Sequence, residues 1–193
     1  MTILSLDLGE SQKGSDSPSP RVSTPLPRIW IGYLLALGFL VVEVVEVIID
    51  PELADQMTLP TFIAWLAGFA YWLYCVNRLH QILKEATGGR HPISPGRSVV
   101  GHLLPIYNLV FIFRWPNALA DFINRERQQG KAWKGWAGTL LLGGFFVTRF
   151  IDSAIGEVIL FSVLMYLSHQ LAAVLKANDA TIPRERPGTS LTL

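Results

Sequence analysis

Two carboxylates, Glu43 and Glu46, stand three residues apart inside the apolar stretch VVEVVEVII, a spacing that sets both on one face of a helix. Arg149 interrupts a second apolar stretch, at what would be a matching depth. Charges inside a bilayer are costly and face protein or a water-filled cavity. Two chemistries follow. The plainer is an intramembrane ion pair of Arg149 with Glu43 or Glu46. The other is a proton or cation path entered through an acidic rim.

Four histidines, His80, His91, His102 and His169, offer the remaining proton or ligand chemistry. His80 and His169 end different apolar runs and are weak candidates for a metal or haem pair. Their spacing forms no motif, and hydrogen-bonded or interfacial histidines are the plainer reading. The lone Cys75 excludes an intrachain disulfide and a multi-cysteine zinc or iron–sulfur site, and its apolar setting predicts a small buried side chain. Neither GxGxxG, a phosphate loop, GxSxG nor HExxH occurs. No catalytic residue and no cofactor is therefore expected, with haem or quinone kept for a redox alternative.

The elements that must position these residues are apolar. Half of the 193 residues are hydrophobic and 16% are charged, against about 25% in soluble domains. An all-α integral membrane protein is expected, its membrane domain covering residues 29–176. Spans are predicted at 29–49, 59–83, 136–151 and 154–175. Asp50-Pro51 closes the first, Pro60 opens the second, and Gly88-Gly89 ends it. Residues 1–28, rich in Ser, Pro and Gly, read as a disordered cytoplasmic tail, and 177–193 as a second tail. Gly138, Gly143 and Gly144 predict close helix packing on the third span.

Between the two pairs of spans lies a segment at 95–115 with Ser94 as N-cap, Pro95 in the first turn and Pro105 as a break. The positive-inside rule assigns its path. If it crosses, the sixteen basic residues divide evenly between the two sides. If it dips in and returns, fifteen basic residues face the cytoplasm with eight acids. Only Arg149 then lies outside, with Glu43, Glu46, Asp50, Glu52, Asp55, Asp152 and Glu157. The expected topology is thus four spans, arranged as two hairpins around a re-entrant segment. Both termini are cytoplasmic, and an interfacial amphipathic helix at 116–129 follows the dip. Backbone groups freed at Pro105 need protein or water partners, which Tyr107 and Asn108 can supply. Arg114 and Trp115 return to the inner surface, where Trp115, Trp133 and Trp136 serve as anchors. A weak repeat supports the count: YCVNRLHQILK at 74–84 and YLSHQLAAVLK at 166–176 share Tyr, Leu, Leu and Lys.

Trp72-Leu73-Tyr74, Ser94-Pro95-Gly96, Val100-Gly101, Pro105 and Asn108-Leu109 follow a W-L-Y … SPGxxVGxxxxPxxNL pattern. Over residues 72–124, about a quarter of the chain, this resembles bacterial multi-pass membrane proteins grouped as domain of unknown function 4328. The resemblance implies a membrane location and a broken central helix, and no activity. Asn77-Arg78 and His80 are additions to it.

The candidate functional segment is accordingly Ser94, Pro95, Gly96, Gly101, Pro105 and Asn108. The leading expectation is a non-enzymatic structural or accessory protein of a bacterial inner or other energy-transducing membrane, partnered by other membrane subunits or by itself. A small transporter or ion-conducting protein using the re-entrant segment is the alternative. The basic inner face (Arg78, Lys84, Arg90, Arg97, Arg114, Arg125, Arg127, Lys131, Lys134) orients the chain and can meet anionic lipid. No nucleic-acid partner is expected.

Overall fold

Apolar side chains run right round the first helix, α1 (Trp30–Ile49), which buries only Gly32, Ala36 and Phe39 along a single stripe. Leu34, Leu37, Val41, Val44, Val45, Ile48 and Ile49 stand exposed. Such a surface suits lipid and not water. The structure is a computed structural model that describes residues 22–53, 56–126, 136–150 and 152–181. After α1 come a 3-10 turn at Pro51–Leu53, α2 (Leu59–Ala86), α3 (Pro95–Leu103), α4 (Pro105–Glu126), α5 (Trp136–Phe150) and α6 (Ser153–Thr181). All regular structure among the described residues is helical.

Three helices, α1, α2 and α6, are long and apolar enough to cross a membrane. The segment expected as a third span is the 15-residue α5, which rises about 22 Å, less than the ~30 Å hydrocarbon core. α1 packs on α2 and α6, α5 on α6, and α4 on α5 and α6. Phe161 of α6 is 1% exposed and meets Tyr33, Tyr71 and Trp72. Tyr33 Oη lies 3.0 Å from Ser162 Oγ, tying α1 to α6, and the Tyr71 hydroxyl donates to the Arg28 carbonyl at 2.7 Å.

The central break forms where Pro105 forbids continuation. Ser94 caps α3 by accepting from the Arg97 amide at 3.3 Å, and Leu104 is extended between the helices. α3 and α4 then fold against each other: His102 bonds Asn108, and Gly101 abuts the Phe111 ring. At nine residues α3 rises about 14 Å, roughly half the hydrocarbon thickness.

Three expectations are corrected. No new helix starts at Pro116, because α4 runs without interruption from Pro105 to Glu126 with Pro116 inside it. Leu119, Ala120, Phe122 and Ile123 of that stretch belong to the core, so it is packed rather than laid apart on an interface. Trp115 consequently falls mid-helix and is wholly buried, so it anchors the core and not the membrane surface, whereas Arg114 is exposed. Trp136 is 63% exposed, and Trp133 lies outside the described residues.

The third correction concerns residues 22–28, which pack instead of trailing. Glu85 near the end of α2 accepts from the Ser23 amide at 2.7 Å, the Thr24 amide at 3.0 Å and the Thr24 hydroxyl. Val22 and Leu26 rest against the core. A carboxylate at a helix C-terminus opposes the helix dipole, and these donors offset that conflict. The rest of the expected N-terminal tail, and residues 182–193, lie outside the described residues.

Candidate functional site

Five helices and one buried carboxylate line a cavity in the bundle. Trp65, Gly68, Phe69 and Trp72 come from α2, His102 from α3, Asn108 and Ile112 from α4, Phe145 and Thr148 from α5, and Glu157, Leu160 and Phe161 from α6. The space takes in about 640 Å³, with the open solvent at its mouth included. Phe145, 40% exposed, carries its wall to the outside of the bundle.

Glu157 is 5% exposed, and its Oε2 has no hydrogen-bond partner among the described residues. It fits because α2 presents a glycine opposite: a β-carbon at Gly68 would lie 2.5 Å from Oε1 and 2.7 Å from Oε2. The preceding residue, Gly156, acts in a similar way, for there α6 presses on the backbone of Thr148 too closely for any side chain. A small residue at each of these points sets the depth at which Glu157 enters the bundle. An ionised carboxylate held there needs a counter-charge or donors.

Asn108 and His102 form the second polar side of the cavity. His102 Nδ1 lies 3.0 Å from Asn108 Oδ1, so Nδ1 carries the proton and Nε2 the lone pair. That Nε2 is buried without a partner among the described residues. Both unsatisfied atoms on this wall, Glu157 Oε2 and His102 Nε2, are therefore acceptors.

Toward the other end of α2 lies a separate cluster. His80 Nδ1 is 3.0 Å from His91 Nε2, and the rings of His80, His102 and Trp72 pack edge-on to Trp115 at centroid distances of 6.1 to 6.3 Å. Trp115 Nε1 and His80 Nε2 are buried without partners among the described residues. His91, in the α2–α3 connection, is held below the usual histidine range by burial and then by the Arg125 charge. Among the described residues no three His, Cys, Asp or Glu side chains group as a metal site.

The residues singled out from sequence separate accordingly. Ser94 caps α3, and Gly101 lets Phe111 approach, its notional β-carbon 2.7 Å from the ring. Pro105 begins α4, its side chain lying outside the described set, and Asn108 reaches the cavity. Pro95 opens α3, while Gly96 has open space around it. Glu46 accepts from the Thr58 and Thr61 hydroxyls at the head of α2. Glu43 faces the charges of Asp152 and Glu46, and the Arg149 side chain of the expected ion pair lies outside the described residues. His80 pairs with His91, and His169 is exposed on α6. Cys75 is free and fully buried. Gly138 packs on Phe113 and Gly144 on Ile159 and Leu160, whereas Gly143 faces open space.

Sequence reasoning did not single out Glu157, Gly68, Trp65 or Phe69. The available signal for Glu157 was its place inside an apolar run. Counted with the rim acids, it read as a surface charge, and only its opposition to Gly68 reveals otherwise. Comparison with protein-family models, with curated proteins and with solved structures finds no match.

Proposed function

We infer that the chain is a non-enzymatic multi-pass membrane protein working as a small carrier or ion-conducting protein, with the cavity beside the broken α3–α4 segment as its site. One observation carries this reading: a carboxylate with an unpartnered oxygen lines a cavity to which Asn108 of the broken segment also contributes. Intramembrane ionisable groups without a structural partner mark solute or ion pathways, and discontinuous helices beside the site are a feature of transporter folds. In this reading α1, α2, α5 and α6 are the spans, paired as two hairpins, and α3–α4 enters and leaves on the basic cytoplasmic face of a bacterial inner membrane.

Flux through proteoliposomes of the purified chain tests it. Proton or cation flux above empty liposomes, lost in both Glu157→Gln and Asn108→Ala, is expected. Flux unchanged by both substitutions overturns the reading. Pro92→Cys and Gly130→Cys should label only from the cytoplasmic side, and labelling of either from outside removes the re-entrant path.

A second reading, a structural or accessory subunit, is favoured by the exposed faces. Gly38 of α1 and Gly143 of α5 open onto empty space amid exposed apolar residues, the surface a partner helix approaches closely. Extraction in mild detergent from the native membrane decides: a stoichiometric partner supports this reading, and a lone chain with flux removes it.

A further inference from the structure

The walls of the cavity specify the kind of ligand, provided the carrier reading of the same cavity holds. We propose that it is a binding site for a lipophilic organic cation, an amine or quaternary onium carrying apolar groups. The polar wall consists of acceptors: Glu157 Oε2 and His102 Nε2 are both buried, with no hydrogen-bond partner among the described residues. The Thr148 hydroxyl already donates to the Gly144 carbonyl at 2.8 Å, so what it has left to offer is acceptance. An anion would find repulsion there, and Glu43 of α1 adds a second negative charge close to Glu157.

The remaining wall is aromatic. Trp65 and Phe69 stack at 5.5 Å with planes 3° apart, and Trp72 and Phe161 meet edge-on at 6.2 Å. Ring faces attract cations through their quadrupoles, most strongly once water is excluded, and they also cover apolar substituents. A carboxylate set among aromatic rings thus answers both features of such a ligand: the charge and its greasy surroundings. A hydrated inorganic cation would lose its water and gain no comparable cover from Trp65, Phe69, Trp72 and Phe161. A neutral apolar molecule would leave Glu157 to be buried as an unpaired charge or to take up a proton, whereas a cation keeps it ionised and paired.

The test is equilibrium dialysis of labelled tetraphenylphosphonium against the full chain in detergent micelles, with triphenylphosphine oxide as a neutral competitor of similar shape. Saturable binding of the cation is expected, with little competition from the oxide. Glu157→Gln should weaken it by at least about tenfold, the equivalent of one lost charge contact. Trp65→Leu, which leaves the carboxylate in place, should weaken it about three- to tenfold. Circular dichroism of each variant matching the parent shows that the fold is kept. Equal affinity for oxide and cation, or binding indifferent to both Glu157→Gln and Trp65→Leu, overturns the proposal. Absence of cation binding also overturns it. If proteoliposome flux nevertheless still depends on Glu157, the carrier reading survives and only the ligand class falls.

Discussion

Glu46 and Glu157 are the same side chain in opposite circumstances. Glu46, near the end of α1, accepts from the hydroxyls of Thr58 and Thr61 at the head of α2, and so joins two helices. Glu157, near the start of α6, is more deeply buried, yet one of its oxygens has no partner and it borders empty space. Buried polar groups are almost always satisfied within the fold. Glu157 Oε2 is one of five exceptions among the described residues and the only carboxylate among them, which separates it from a carboxylate that joins two helices. Depth and residue type alone do not make that distinction.

The comparison breaks first at Glu46. Replacing it with Ala leaves two threonine hydroxyls at the α1–α2 seam without their charged acceptor. A loss of about 2–3 kcal/mol in unfolding free energy is expected, measured by tryptophan fluorescence during denaturation with SDS in mixed micelles. A loss well below 1 kcal/mol would remove Glu46 from its structural role. Gly68→Ala comes next, because its β-carbon would stand 2.5 Å from the Glu157 carboxyl. Overpacking of this kind costs about 1–3 kcal/mol, and the carboxyl can turn aside only into the cavity. The double variant Gly68→Ala, Glu157→Ala should recover most of that loss, as a double-mutant cycle shows when two sites share one space.

Much of the architecture was legible because it rests on local rules. Ser94 and Pro95 start α3, Pro105 breaks the chain, and Pro60 stands in the first turn of α2. The failures share a physical cause as well. A proline at position 116 reads locally as a helix start, but α4 keeps its direction because Trp115, Leu119 and Ile123 bury on one face. Tertiary packing outweighed the missing amide. Serines and threonines before the first span read as tail, and nothing local announces that Glu85, far along the chain, would accept their amides. The cavity is the extreme case: Gly68 and Glu157 acquire meaning only from each other, across two helices, and a single sequence carries no mark of that pairing.

A smaller effect, distinguishing the histidine cluster from the cavity, is expected of pH. His91 lies against His80, with Arg125 near it, and burial holds it below the ordinary histidine value of 6.5. The unfolded chain then takes up a proton at a pH where the folded chain does not. The stability that neutral His91 contributes is complete above pH 6.5 and is lost as pH falls through its lower folded value. Unfolding midpoints should decline below about pH 6.5, and less steeply in His91→Asn. An identical slope in that variant would place the sensitivity elsewhere.

The smallest expected effect is the most discriminating. Glu157→Gln keeps shape and volume while removing a charge that has no cationic partner among the described residues. Breaking a buried ion pair is costly because a charge is left alone, and here no partner is left behind. The amide can donate where the carboxylate could not, and His102 Nε2, an unpartnered acceptor on the same cavity wall, is of the right kind to receive it. Stability should therefore stay within about 0.5 kcal/mol of the parent or rise slightly, in the same SDS assay that registers the loss at Glu46. A destabilisation as large as that of Glu46→Ala would make Glu157 structural and erase the difference between the two carboxylates. An unchanged or firmer bundle, obtained with a variant whose flux has gone, ties Glu157 to function and leaves stability to the threonine-bound Glu46.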